Sequence, residues 1–140
     1  MNEEMVRKYF LSKFGAIEDI PFNIPVPVFK IGDKMFGLIN IHEADRLSIN
    51  VKYPKDKIYD LRSVFKEIKP GYHMNKDNWN TVYLDGDLEE DFIEELIDIS
   101  YDLVFKSLPK KKQKEIMEDK NERHFKGGED FNLSTFYNTI

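Results

Sequence analysis

Between Lys69 and Trp79 the chain gathers two lysines, Lys69 and Lys76, with Tyr72, His73, Asn75, Asn78 and Trp79. These residue types suit nucleic-acid contact. Ammonium groups neutralise phosphates, aromatic rings stack on bases, and amides hydrogen-bond to sugar and base edges. Arg62 and Lys66, on a helix expected just upstream, can join Lys69 and Lys76 against phosphate. The same segment has a purely architectural reading. Asparagine and glycine hold turns, Tyr72 and Trp79 pack in a core, and His73 bonds to backbone.

Other chemistries find little support. The chain has no cysteine, which removes disulfides, thiolate metal sites and cysteine nucleophiles. His42, His73 and His124 are far apart and form no ligand-spaced pair. Serine-nucleophile, phosphate-loop and dinucleotide-binding glycine motifs are absent. The expectation is a protein that is not an enzyme, with no catalytic residue, metal or cofactor.

Charge is unevenly distributed. The net charge of −5 disfavours non-specific nucleic-acid binding, which calls for a positive excess. Yet Lys52 to Lys76 holds seven bases against three acids, whereas Glu89 to Asp102 holds seven acids and no base. The molecule is therefore expected to be electrically polarised. Lys110 to Lys114, with four lysines in five residues, reads as a solvated helix end. Met1 to Met5 lacks an apolar h-region, and no apolar run approaches the roughly 20 residues of a membrane helix. A soluble cytoplasmic protein with no membrane contact is expected.

The elements that must position these residues can be read from spacing. Asn2 caps a first helix that buries Met5, Val6, Tyr9 and Phe10 and stops near Gly15. The stretch holding Pro21, Pro25 and Pro27 is an extended lead into an edge strand. Val26 to Ile31 and Lys34 to Ile41 form a hairpin about Gly32-Asp33. Leu47, Ile49 and Val51 alternate with Ser48, Asn50 and Lys52, predicting a strand with one wet face. A helix from Pro54 buries Ile58, Leu61, Phe65 and Ile68, and Lys69-Pro70-Gly71 breaks it. Tyr72 to Met74 and Trp79 to Leu84 then pair as a second hairpin. Asp87 and Glu90 form a capping box for a helix whose core face is Phe92, Leu96, Ile99 and Leu103. A short charged helix runs from Lys110 to about Lys120. The result is an α+β domain, with a small antiparallel sheet of about five strands packed by three helices. Residues 1–115 form the domain, and residues 116–140 an extension, docked or mobile.

Three stretches carry a family resemblance: Val26 to Phe36, Lys69 to Lys76 and Asn78 to Gly86. The run Pro70-Gly71-Tyr72-His73-Met74-Asn75-Lys76, followed by Trp79-Asn80-Thr81-Val82, is its most specific part. Ser100 to Val104 and Leu108 to Lys111 follow in order. Residues 1 to 115 thus resemble the MmcQ/YjbR family. The resemblance implies a frataxin-like (CyaY-like) two-layer sandwich and an assignment to DNA binding. Frataxins are similar in their acidic surface, which raises metal binding by Glu89 to Asp102. Pairs such as Glu90 with Glu94 or Asp91 with Glu95 make only weak sites, so this face is read as solvated. The leading expectation is nucleic-acid binding through the basic hairpin. The rival is a non-enzymatic module with a small-molecule or protein pocket beside Tyr72 to Trp79.

Overall fold

The computed structural model describes residues 1–21, 26–41 and 46–120 in full, and the helical backbone of 121–127. His42, Pro25, the side chains of His124 and Phe125, and Phe131, Phe136 and Tyr137 of the extension lie outside what is described.

Six strands of the described residues form one antiparallel sheet: β1 (Ile17–Asp19), β2 (Val28–Ile31), β3 (Lys34–Asn40), β4 (Ser48–Lys52), β5 (Ile68–Pro70) and β6 (Trp79–Tyr83). Their spatial order is β1-β2-β3-β4-β6-β5, so β1 and β5 are the edges. Among the described residues four helices accompany them: α1 (Glu3–Ser12), α2 (Ile58–Val64), α3 (Glu90–Ser107) and α4 (Lys110–Gly127). The fold is α+β as expected, with one strand more among the described residues and with the expected charged helix longer than its sequence reading.

The first helix begins as its sequence dictates, with Asn2 Oδ1 accepting the Met5 N–H at 2.8 Å. Val6 and Phe10 are fully buried, whereas Met5 is exposed. Phe10 stacks on Phe29 at 4.4 Å and lies on Gly37, where a Cβ would fall 2.1 Å from the ring. The hairpin between β2 and β3 turns through Gly32 and Asp33, at φ 54° and 70°, the left-handed pair a two-residue turn requires. Phe36 is the extra residue of a bulge opposite Phe29 and Lys30.

Helix α3 crosses β2, β3 and β4 on a stripe of Ile93, Leu96, Ile97, Ser100, Tyr101 and Val104. This corrects the expected stripe. Leu96 belongs to it, but Phe92, Ile99 and Leu103 are only half-buried at its flanks. Ser100 explains the rotation. Its small side chain sits against the sheet, accepts the Lys52 N–H at 2.8 Å and donates to the Phe36 carbonyl at 2.5 Å. The bulge at Phe36 leaves that carbonyl to be satisfied by a side chain. The capping box also fails. Glu89 is the N-cap without a side-chain bond, and the Asp87 N–H donates instead to Glu67 Oε2 at 2.9 Å.

Two boundaries move around α2. The chain turns from Pro54 to Lys57 before the helix, which ends at Val64. Phe65 packs on Phe92 with ring centroids 4.8 Å apart, and Ile68 enters β5. The second hairpin therefore pairs Ile68–Pro70, not Tyr72 to Met74, with β6. Ile68 pairs with Val82 and buries itself, and Pro70 is tolerated because β5 is an edge.

Helix α4 runs without a break past residue 115 to Gly127. Gln113 Nε2 donates to the Leu108 carbonyl at 2.8 Å, closing the end of α3. Ile116 packs on the core, and Lys120 is buried with its ammonium 5.6 Å from the Phe14 ring centre. Burial, with Lys13 nearby, lowers the Lys120 pKa. Among the described residues no helix is long and apolar enough to cross a membrane.

Candidate nucleic-acid interface

Alternation along paired strands assigns the side chains to two faces. Gly37, Ile39, Ile49, Val51 and Val82 face the helices. Asn40, Ser48, Asn50, Lys52, Lys69, Trp79 and Thr81 share the second face. The expected wet face of β4 is dry at its centre, because Ser48 and Asn50 are fully buried, as is Thr81 beside them.

Buried polar groups need partners, and these side chains supply one another. Asn40 Nδ2 donates to Ser48 Oγ at 3.0 Å and to Asn50 Oδ1 at 2.9 Å. Thr81 Oγ1 donates to Asn50 Oδ1 at 2.7 Å. Asn50 Nδ2 donates to the Tyr72 carbonyl at 3.0 Å, and the Tyr72 N–H returns to Thr81 Oγ1 at 2.8 Å. Both backbone polar groups of Tyr72 are thus tied to the sheet. Sequence reasoning missed this network. Its signal was a polar residue at every second strand position, which looks the same whether that face is solvated or internally bonded.

The loop 71–78 is clasped from its other side by Arg62. Its Nε donates to Asn80 Oδ1 at 2.7 Å, and one terminal nitrogen donates to the Trp79 carbonyl at 3.0 Å and to the Lys76 carbonyl. Tyr59 donates to Asp77 at 2.9 Å, a bond that raises the phenol's pKa. Within the loop, Asn75 Oδ1 accepts the Asp77 N–H at 2.9 Å, and its carbonyl accepts from Asn78 and Trp79. The Asn78 carbonyl accepts the Tyr53 N–H at 2.9 Å.

The candidates therefore separate. Arg62, Asn75 and Asn78 build the loop, and Arg62 spends its fork on backbone and amide oxygens rather than holding it open. Lys69, Tyr72, His73 and Lys76 are exposed, while Trp79 is half-buried on the sheet beside Lys52. Tyr72 lies against His73 with ring centroids 4.0 Å apart. Lys69 and Lys76 form no ion pair among the described residues. Lys66 is not brought to this cluster. It lies at the opposite end of β5, exposed, 4.0 Å from Asp87.

The acids of α3 line the far side of the molecule, exposed at Glu89, Glu90, Asp91 and Glu95. Asp98 is engaged by Lys13 and Tyr9, each at 2.7 Å. Among the described residues no three His, Asp or Glu side chains converge as a metal site. An open groove of about 360 Å³ lies along the β1 edge between Phe14, Ile31 and Ile116, away from the hairpin.

The sheet and most of α3 coincide with a match to the YjbR family model, which covers residues 11–103. The chain belongs to the YjbR family. It is 31% identical over 107 residues to the uncharacterised protein YjbR of Escherichia coli K12, covering 76% of this chain and 90% of that one. Identity to the uncharacterised protein YbdF of Escherichia coli O157:H7 is 38% over 96 residues, covering 69% and 78%. A Deinococcus radiodurans crystal structure with a DUF419 domain is similar at TM-score 0.73 and 32% identity, covering 81% and 86%. A Pseudomonas syringae crystal structure is similar at TM-score 0.62 and 30% identity, covering 74% and 98%. The hairpin and its loop fall within the YjbR match, whereas α4 lies beyond it.

Proposed function

We propose that this YjbR-family protein is a nucleic-acid-binding module, not an enzyme, acting in the cytoplasm. Its contact surface is the β5–β6 hairpin. The observation that carries the reading is the pair Lys69 and Lys76, exposed without ion-pair partners among the described residues, on the side away from the α3 acids. Lys55 and Lys57, exposed in the turn before α2, and the half-buried Lys52 extend the positive surface. Arg62 serves by fixing the loop, and Trp79 supplies an aromatic floor beside Lys52.

The test is fluorescence anisotropy of labelled DNA over a salt series, with wild type beside the double variant Lys69→Ala, Lys76→Ala. Affinity should fall steeply with salt. The variant's log–log slope should be shallower by about 2, one for each phosphate that a lysine no longer neutralises. A flat wild-type trace at about 50 mM salt would refute the reading.

A further inference from the structure

We propose that the strand this surface takes is single-stranded, with one unstacked base laid on the ring of Tyr72. The inference rests on the nucleic-acid reading and adds to it the class of strand and the residue that selects it.

Tyr72 is 48% exposed, a large ring held in water at a fixed place. Its backbone N–H and carbonyl are both bonded to buried side chains, Thr81 and Asn50, and those are braced by Asn40. The ring therefore stands on a pedestal inside the sheet and needs little ordering on binding, which lowers the entropic cost of a contact. His73 adopts φ 57°, in the left-handed region that non-glycine residues rarely occupy. Extended backbone would send its ring to the opposite side from Tyr72. Here the two rings lie 4.0 Å apart, inclined at 50°. Strain of this kind points to a functional constraint on the segment. Lys69, three residues before Tyr72, and Lys76, four after it, are both exposed and offer charge to the phosphates of the same strand.

Duplex bases are stacked on one another and offer no free face to an exposed ring. A single strand offers one at every nucleotide, and stacking tolerates any sequence. An exposed aromatic in a segment that also carries exposed lysines therefore discriminates by strand state.

The experiment compares a labelled single-stranded oligonucleotide, a duplex of equal length, and an abasic strand with the same phosphates. The single strand should bind more tightly than the duplex. Tyr72→Ala should weaken single-strand binding by about 5- to 150-fold, with the salt slope unchanged and Tyr72→Phe close to wild type. The abasic strand should lose a similar factor against unaltered protein, a comparison that depends on no variant's folding. Equal binding of the base-bearing and abasic strands, or salt-dependent binding unaffected by Tyr72→Ala, would overturn the stacking inference alone. Absence of binding to every probe at low salt would overturn the nucleic-acid reading with it.

Discussion

Replacing Arg62 by alanine should destabilise the protein by about 2–4 kcal/mol. The guanidinium bonds to Asn80 Oδ1, to the Trp79 carbonyl and to the Lys76 carbonyl. Asn80 is 1% exposed, so losing its partner strands a buried amide oxygen at about 1–3 kcal/mol. The two carbonyls lie toward the surface, where water replaces most of the loss, leaving about 0.5 kcal/mol each. Packing of the side chain over Tyr59, 5.2 Å from ring centre to guanidinium carbon, adds a few tenths of a kcal/mol at most. For a chain of this length 1 kcal/mol corresponds to roughly 3.5 °C in Tm. Thermal unfolding followed by circular dichroism should therefore show a drop of about 7–14 °C. Arg62→Lys should recover only a minor part, since an ammonium cannot reproduce the planar fork. Lys69→Ala and Lys76→Ala should stay within about 0.5 kcal/mol of wild type, as exposed positions do. Amide exchange at Asn78 and Trp79 should accelerate in Arg62→Ala, because the loop bonds to Asn75 lose their clasp. A Tm within about 2 °C of wild type, or equal losses in the lysine variants, would refute the assignment of Arg62 as a clasp.

Two further outcomes follow from the buried polar groups. Asn50→Ala leaves the Tyr72 carbonyl without its side-chain donor and deprives Thr81 of its acceptor and Asn40 of one of two, so urea unfolding should report a loss of about 2–4 kcal/mol with little change in m. A loss under about 1 kcal/mol would mean that the network is not holding the loop. Glu67 has its pKa lowered chiefly by the Asp87 N–H, which it accepts only in the folded chain. The stability it contributes is thus present above its ordinary value of 4.5 and lost as pH falls through the lowered folded value. The Tm advantage of wild type over Glu67→Gln should accordingly shrink below about pH 4.5, and a gap that stays constant into strong acid would contradict the assignment.

Local chemistry determined much of this protein from the sequence alone. Asn2 could cap a helix and Gly32-Asp33 could close a two-residue hairpin in any fold, because both act over a few residues. The run from Pro70 to Val82 was specific enough to identify the family, and the split into a basic and an acidic stretch was legible by counting. What failed depended on distant partners. The face α3 buries was set by Ser100 meeting Phe36 and Lys52, far away in sequence. Ile68 joined β5 rather than α2 because Val82 was there to pair with it. Ser48 and Asn50 looked solvated because alternation reports polarity, not exposure, whereas in the fold Thr81, Asn40 and the Tyr72 backbone approach and bond to them. Arg62 looked like a phosphate ligand by charge. Tertiary structure gave it oxygens of this chain to hold instead, and left Lys69, Tyr72 and Lys76 facing outward.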